Sequence, residues 1–486
     1  MARKVKVLLD DNGVDKREAG YYSTPDFIAK YLTYEMLKIN PNGESVLDPA
    51  VGKEELLHYF KKEGKKIDSF DVIDFEKLGI SNFHHQDFIE YYIDKLQNNP
   101  FAPIQEPYDY IIANPPYNCH ELAYIRDNKK RLNAAFPVGA YNMYSIFLSA
   151  MISIAKEGCL IGVIISDSFL TATLHSKLRE QIYSECSIHQ IILCPNDLFW
   201  NQKADVRTCL MILQKGRKYQ KEVMVQGRPE NTSSFIDILI SHKFKNLPLH
   251  DIKLGSDKLS NQVVIDIPDK IISIIKSNPS LGSLYKCATC ISTGNDAKYL
   301  STYRKDGFTV PFYKNPAKRK FKTEPDAYLI SDYMEESLKV KDFMVRNKSI
   351  LLNEGIVCSS MGLPFSVAYK PSGAVSGVNA TIFPKHEDVF WLMGYLNSSF
   401  ITYIVRGVLI RSNMITSGYV SRIPIIKLSD DEKRHLGEIS IKAYKGNISV
   451  SEAISLCDGI IYNAANLDDT IIEEIEHFVS NLGKTV

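Results

Sequence analysis

The stretch YDYIIANPPY, residues 108–117, is an apolar strand that runs directly into a corner made by Pro115 and Pro116. Each proline fixes its own φ and restricts the residue before it, so we expect the strand to end at Asn114. Other short β-rich runs lie on both sides of this stretch and alternate with helical segments. The runs are residues 45–48, 67–73, 108–113, 159–166, 188–194 and 207–213. This alternation predicts a doubly wound α/β domain with a parallel sheet, in which ligands bind at the carboxyl ends of the strands.

The regular alternation stops after Leu213, where polar stretches follow. Short strand-like runs punctuated by Gly, Ser, Asn and Pro come next, as in a β-rich module. The sequence therefore predicts an N-terminal extension (1–20), the α/β domain (21–225), a linker (226–245), a β-rich domain (246–430) and a C-terminal helical segment (431–486).

Composition limits the classes of protein. The net charge is only +1, so a nucleic-acid ligand would need basic residues gathered on one face. No apolar run is long enough to span a membrane, and we expect a cytoplasmic protein that does not bind membranes. The nine cysteines are scattered, which favours reduced thiols. Cys287 and Cys290 form a C-x-x-C without the second pair that zinc needs, so no metal site is expected.

The proline corner presents groups that suit an amine. The side-chain oxygen of Asn114 and the backbone carbonyl of Pro115 can together accept both hydrogens of an exocyclic amine. Tyr117 offers a flat face on which a base can stack. The alternative interpretation is a strand-ending turn with an exposed tyrosine.

The stretch VLDPAVG, residues 46–52, predicts a small-ligand loop between a strand and a helix. Gly52 permits close approach of the backbone to a ligand, and Asp48 can accept from an ammonium or hydroxyl group. The P-loop lysine and the G-x-G-x-x-G spacing are missing, so this loop is not a phosphate cradle. An ordinary turn between strand and helix stays open as the alternative.

Two later acids suit a nucleoside. Asp71 lies roughly twenty residues after the first loop, where nucleoside-binding folds grip a ribose diol, and Asp74 is the alternative. Asp87 precedes the strand that leads to Asn114 and can accept from the amino group of a cofactor's adenine, with Phe88 against the ring.

In their order, these segments resemble the γ class of DNA amino-methyltransferases, in which motif X precedes motif I, motif IV follows, and a target recognition domain ends the chain. GYYSTPDFIAKYL, residues 20–32, resembles motif X, VLDPAVG resembles motif I, and NPPY resembles motif IV of the adenine-N6 branch. Asp71 and Asp87 match motifs II and III. The fold implied is a Rossmann-like methyltransferase sheet with a separate β-rich target recognition domain and terminal helices.

The resemblance extends further along the chain, with one departure. Residues 141–148 and 158–170 resemble the fifth and sixth motifs, and residues 197–213 resemble motif VIII. The departure is in motif I, which in the family continues Cys-Gly-Ser-Gly. Here the residues after Ala50 are Val51, Gly52, Lys53 and Glu54.

This resemblance implies a site-specific DNA adenine-N6 methyltransferase of the restriction-modification type that flips its target base. The catalytic residues would be Asn114, Pro115, Tyr117 and Phe199, with Trp200 competing for the role of Phe199. The cofactor would be S-adenosyl-L-methionine. Its contacts would come from Tyr22, Thr24, Asp48, Ala50, Gly52, Asp71, Asp87, Phe88 and Pro116. The partners would be double-stranded DNA and a cognate restriction endonuclease.

A basic, aromatic segment over residues 311–322 is a candidate for DNA phosphate contacts, and a solvated basic loop is the alternative. Its cations are Lys314, Lys318, Arg319, Lys320 and Lys322. Other functions stay open for the chain as a whole. They are a catalytically silent DNA-binding or specificity subunit, and transfer to cytosine N4, to RNA adenine or to a glutamine of a release factor.

Overall fold

The computed structural model describes residues 22–75, 78–98, 105–117, 123–202, 206–216, 222–254, 261–265, 267–314, 320–360, 364–410 and 414–482. The chain divides into two compact units, residues 2–266 and residues 267–486. The predicted extension over residues 1–20 lies outside the described residues.

The first unit alternates strands and helices. Its strands are β1 (Ser45–Asp48), β2 (Lys66–Asp71), β3 (Asn82–His85), β4 (Tyr110–Ala113), β5 (Leu160–Ser166), β6 (Cys186–Leu193), β7 (Thr208–Lys215), β8 (Glu222–Gln226), β9 (Lys245–Pro248), β10 (Lys253–Leu254) and β11 (Gln262–Val263). Its helices are α1 (Asp26–Ile39), α2 (His58–Lys62), α3 (Phe88–Asn98), α4 (Ala123–Asp127), α5 (Lys129–Ala135), α6 (Met143–Ile154), α7 (Ser176–Glu185), α8 (Thr232–Ser241) and α9 (Leu249–Ile252).

Within the described residues, the first nine strands form one sheet in the order β3-β2-β1-β4-β5-β7-β6-β8-β9. β1 pairs in parallel with both β2 and β4, and β4 pairs in parallel with β5. The strand order reverses between β1 and β4, which is where sheets of this kind open a crevice for ligands. The predicted α/β fold with a large, mainly parallel sheet is therefore confirmed.

β7 departs from the parallel arrangement that the sequence predicts. It pairs antiparallel with both β5 and β6. A parallel connection needs a crossover of about a dozen residues or more, usually a helix, and no α-helix is described between β6 and β7. The apolar pattern of a buried strand is the same in either direction, so the sequence did not reveal this reversal.

Alternate residues of β4 face opposite sides of the sheet. Tyr110 and Ile112 belong to an apolar core that includes residues of α1 and α2, whereas Ile111 and Ala113 belong to one that includes residues of α3 and α6. The strand is buried along its whole length, as expected at the centre of a sheet covered on both faces. The carboxyl end of β4, where Asn114 follows, is therefore held by two cores.

The structure has regular elements where the sequence predicts a linker over residues 226–245. α8 lies in this range, and β9 begins at its end and pairs with β8 at the edge of the sheet. The boundary between the two compact units comes later in the chain, between residues 266 and 267. The polar residues that suggested a linker therefore belong to the edge of the first unit.

The second unit contains short strands interspersed with short helices and ends in three longer helices. Its strands are β12 (Lys286–Ala288), β13 (Ile291–Ser292), β14 (Leu300–Ser301), β15 (Phe308–Tyr313), β16 (Ala327–Ile330), β17 (Met344–Val345), β18 (Gly355–Cys358), β19 (Val367–Lys370), β20 (Val375–Ser376) and β21 (Thr381–Phe383). Its helices are α10 (Asp269–Ser277), α11 (Leu281–Leu284), α12 (Asp296–Tyr299), α13 (Tyr333–Lys339), α14 (Val389–Leu396), α15 (Ser399–Tyr403), α16 (Ser417–Val420), α17 (Asp430–Lys445), α18 (Val450–Ala465) and α19 (Asp469–Asn481).

The described strands of the second unit form two four-stranded sheets, β12-β21-β18-β19 and β14-β16-β15-β20, and the pair β13-β17. The three last helices begin at side-chain caps from Ser429, Ser449 and Asp468, which satisfy backbone N–H groups of the first turn. Across the described parts of both units, no helix combines the length and the apolar character needed to cross a membrane.

Candidate active site

A cleft lies at the carboxyl ends of β1, β2 and β4. Six residues predicted from the sequence line it: Ala50, Asp71, Asp87, Phe88, Asn114 and Pro116. The other lining residues, which the sequence did not suggest, are Pro49, Val72, Ile73, Phe75 and Phe147. The fold thus brings together side chains that are up to 66 positions apart between Ala50 and Pro116.

Asp48 is the last residue of β1, directly before the cleft-lining Pro49 and Ala50, and is almost completely buried. Its Oδ1 accepts from the backbone N–H of Ala50 at 3.0 Å. Its Oδ2 is buried and has no hydrogen-bond partner in the described part of the chain. Burial raises the pKa of Asp48 well above its usual range. A buried acceptor of this kind suits a cationic ligand, because a bound charge would offset the cost of ionising the carboxyl group.

Gly52 and Asp71 join the two loops of the cleft. Gly52 has a positive φ of 54°, which glycine adopts without steric cost, and its N–H donates to Asp71 Oδ2 at 2.9 Å. Asp71 Oδ1 accepts from the N–H of Ile73 at 2.9 Å. The carboxylate that was predicted to bind a ribose is therefore held at both oxygens by backbone groups.

Asp87 has a structural role in addition to its position in the cleft. Its Oδ1 accepts from the N–H of Ile89 at 2.8 Å, which caps the start of α3. Burial raises the pKa of its carboxyl group. Phe88 is 1% exposed and packs beside Phe147, with ring centroids 5.9 Å apart. The pair thus forms a firm, mostly apolar part of the wall.

Asn114 lies at the proline corner and contacts the segment that resembles motif X. Its Nδ2 donates to the Tyr22 carbonyl at 2.8 Å and to Thr24 Oγ1 at 2.9 Å. Its Oδ1 accepts from the Tyr117 hydroxyl at 2.6 Å. Burial raises the pKa of Tyr117 well above its usual value, so the hydroxyl keeps the proton that it donates. Pro115 is buried and Pro116 is half-buried.

Three aromatic rings gather beside this corner. The ring centroid of Tyr22 is 5.8 Å from that of Tyr117 and 6.0 Å from that of Phe199, and Tyr117 and Phe199 are 6.5 Å apart. Phe199 is 1% exposed, whereas its competitor Trp200 is 53% exposed. Two parallel rings around a base would be about 7 Å apart, at two contacts of about 3.5 Å. The rings of Tyr117 and Phe199 are inclined by 59°, so this cluster must rearrange to admit a base.

Gln202 is a site residue that the sequence analysis missed. Its Oε1 accepts from the N–H of Ser23 at 2.8 Å, and its Nε2 donates to the carbonyl of Ser23 at 2.8 Å. Ser23 lies between Tyr22 and Thr24, which both contact Asn114. The side chain of Gln202 therefore fixes the middle of the segment 22–24, while Asn114 contacts its two ends. Its position, three residues after Phe199 in the stretch resembling motif VIII, was the available signal.

The basic segment belongs to the second unit, and its described cations differ in accessibility. Lys314 is exposed and forms an ion pair with Asp296, and Lys322 is exposed with Glu324 at 3.8 Å. Lys320 is half-buried, and burial lowers the pKa of its amine to about 8. This amine is thus less accessible than those of Lys314 and Lys322, and its contact with phosphate stays a prediction. Lys318 and Arg319 lie outside the described residues.

Comparison with known proteins identifies a family. The model of the N6_Mtase family, N-6 DNA Methylase, matches residues 6–253. The chain is 24% identical over 363 residues to the type II methyltransferase M.BanIII of Aneurinibacillus aneurinilyticus, covering 68% of this chain and 61% of that protein. It is 24% identical over 234 residues to the type I restriction enzyme EcoEI methylase subunit of Escherichia coli, covering 43% of this chain and 45% of that protein. The chain thus spans about half of the length of these relatives.

Solved structures are similar in fold. The type IIL restriction-modification enzyme MmeI in complex with DNA superposes with a TM-score of 0.58 at 10% identity, covering 96% of this chain and 79% of that one. The DrdV–DNA complex superposes with a TM-score of 0.54 at 12% identity, covering 89% of this chain and 58% of that one. At such identities the likeness extends to the fold alone.

Proposed function

Because the chain belongs to the N-6 DNA methylase family, we propose that it is a site-specific DNA adenine-N6 methyltransferase of the restriction-modification type, which flips its target base and uses S-adenosyl-L-methionine. One observation carries the proposal. Asn114 lines the cleft and at the same time contacts Tyr117 in the aromatic cluster. A cofactor site and a base site would therefore share this one side chain.

The cleft region offers hydrogen-bond acceptors that suit S-adenosyl-L-methionine. The buried Oδ2 of Asp48, which has no hydrogen-bond partner among the described residues, offers an acceptor for the ammonium group. The carboxylate of Asp71, which lines the cleft, is proposed to bind the ribose. When bound, the cofactor supplies a methyl group activated by a sulfonium. The residues proposed to hold it are Tyr22, Thr24, Asp48, Ala50, Gly52, Asp71, Asp87, Phe88 and Pro116.

The aromatic cluster is proposed to receive the flipped adenine. Extruding a base costs a few kcal/mol, and stacking on an aromatic ring returns about 1–3 kcal/mol per base. Tyr117 and Phe199 would supply the two faces once Tyr22 moves aside. Stacking tolerates every base, so the choice of adenine falls to hydrogen bonds.

Asn114 Oδ1 and the Pro115 carbonyl are proposed to accept the two N6 hydrogens. These bonds oppose delocalisation of the nitrogen lone pair into the ring and orient it for transfer. They also stabilise the positive charge that develops on N6 during transfer. Asn114 Oδ1 accepts from the Tyr117 hydroxyl in the present structure, and its second lone pair is available to an amine. No side chain needs to act as a nucleophile.

Double-stranded DNA is the proposed substrate, and a cognate restriction endonuclease is the proposed partner. Lys314 and Lys322, with Lys318 and Arg319, are the proposed phosphate contacts, because exposed cations fix a protein on the duplex without reading its sequence. Their carboxylate neighbours would have to release them on binding.

The test compares Asn114→Ala with Gln202→Ala at saturating S-adenosyl-L-methionine. Each substitution removes two hydrogen bonds to residues 22–24, but only Asn114→Ala removes the proposed acceptor for N6. We expect single-turnover methyl transfer to DNA to fall by at least about 100-fold in Asn114→Ala and to persist in Gln202→Ala. Equal rates in the two variants would refute the role of Asn114.

A further inference from the structure

Glu54 is held in an unusual way in the loop that follows β1. Its φ is 66°, in the left-handed region that favours glycine, and its side chain is completely buried. It is also the last residue of the stretch in which the sequence departs from the usual Cys-Gly-Ser-Gly of the motif I that it resembles. A buried charged residue in a left-handed conformation persists only where its surroundings hold it.

The carboxylate of Glu54 accepts hydrogen bonds from the two residues directly before β3. Its Oε2 accepts from the N–H of Ile80 at 3.1 Å. Its Oε1 accepts from the N–H of Ser81 at 2.9 Å and from the Ser81 hydroxyl at 2.6 Å. Burial opposes ionisation, but the hydrogen bonds from Ser81 and Ile80 outweigh it and lower the pKa of Glu54. The carboxylate is therefore an ionised anchor at neutral pH.

Through residues 80 and 81, Glu54 holds the C-terminal end of a segment that forms one wall of the cleft. Val72, Ile73 and Phe75 line the cleft and follow β2. The near end of their segment is fixed by Asp71, which binds the N–H groups of Ile73 and Gly52. The far end, at residues 80 and 81, is fixed by Glu54. Both ends of the wall are thus tied to the same loop, residues 51–54.

We propose that Glu54 is a positioning residue for the cofactor, which ties residues 80 and 81 to the loop after β1 and so holds the wall of Val72, Ile73 and Phe75 in its binding position. The inference rests on the proposed use of this cleft by S-adenosyl-L-methionine. It also gives a reason for a glutamate at a position with a left-handed backbone. The carboxylate supplies a tie that glycine cannot supply.

The test measures the Kd of S-adenosyl-L-methionine by calorimetry and the amide hydrogen exchange of residues 78–81 in the full chain. The variants are Glu54→Ala, Glu54→Gly and the conservative Glu54→Gln, with the exposed Glu63→Gln as the control. Glu54→Gly removes the carboxylate but suits the left-handed backbone, so it separates the tie from the conformation.

We expect Glu54→Ala and Glu54→Gly to raise the Kd by about tenfold or more and to speed exchange at Ile80 and Ser81. Glu54→Gln, which keeps one acceptor oxygen, should lie between these variants and the wild type, and Glu63→Gln should match the wild type. A Kd within twofold of the wild type in Glu54→Gly, in spite of faster exchange, would overturn the inference alone. Absence of binding by the wild-type protein would overturn the proposed function and this inference with it.

Discussion

Gln202→Ala isolates the contribution of the segment 22–24 to cofactor binding. The substitution removes two hydrogen bonds of 2.8 Å between the side-chain amide and the backbone of Ser23. Each neutral hydrogen bond contributes about 0.5–1.5 kcal/mol, so about 1–3 kcal/mol of local ordering is lost. If cofactor binding must restore that order, the Kd of S-adenosyl-L-methionine rises by about 5- to 150-fold.

Calorimetric titration of the variant measures this change, and Gln181→Ala is the matched control. Gln181 also uses its amide as acceptor and donor, toward Ser149 and Ser153 of α6, and it does not line the cleft. We expect Gln181→Ala to lower the midpoint of thermal unfolding and to leave the Kd within twofold of the wild type. If Gln202→Ala likewise lowers the midpoint of thermal unfolding but leaves the Kd unchanged, the reasoning is refuted. The hydrogen bonds between Gln202 and Ser23 would then contribute to stability alone.

Three further predictions address the cofactor, the base and the DNA. Asp48→Asn should weaken cofactor binding by about tenfold or more, since an amide offers no charge to an ammonium. Because the pKa of Asp48 is raised in the folded state, the thermal midpoint of the wild type should fall as the pH rises above the usual aspartate range. The thermal midpoint of Asp48→Asn should not show that fall. Equal dependence of the two midpoints on pH would contradict this. Tyr117→Phe should preserve the fluorescence increase of a 2-aminopurine target, whereas Tyr117→Ala should lose it, and equal signals from the two would argue against stacking. Replacing Lys314 and Lys322 by Gln should reduce the salt slope of DNA binding by about 1.8, at about 0.9 per phosphate contact, and an unaltered slope would exclude the segment.

Strands at the centre of the sheet could be predicted because they carry continuous apolar runs. β4 and β5 are buried along nearly all of their length, and the sequence located both within a residue or two. β3 and β9 are edge strands whose side chains are mostly exposed or half-buried, so they lack the apolar signal and were missed. Hydrophobic pattern therefore reveals buried strands and passes over the polar edges of the same sheet.

The residues of the candidate site also fall into those that the sequence could predict and those that it could not. The positions of Asp48, Asp71 and Asn114 could be predicted because each lies at the carboxyl end of a strand: Asp48 and Asp71 end β1 and β2, and Asn114 follows β4. Gln202 binds Ser23, which is 179 positions away in the sequence, and Glu54 binds Ser81, which is 27 positions away. No local pattern in the sequence indicates those partners. The basic segment could be found in the sequence, but the half-buried position of Lys320 could not. A run of basic residues does not indicate which of its amines the fold withdraws from water.

The central claim is that the proline corner directs methyl transfer to the N6 amine of adenine. The most direct test incubates the protein with unmethylated double-stranded DNA and S-adenosyl-L-methionine carrying an isotopically labelled methyl group, and identifies the labelled nucleoside by mass spectrometry after digestion. We predict N6-methyldeoxyadenosine as the labelled product. Label in N4-methyldeoxycytidine, or DNA without label from a protein that binds the cofactor, would contradict the claim.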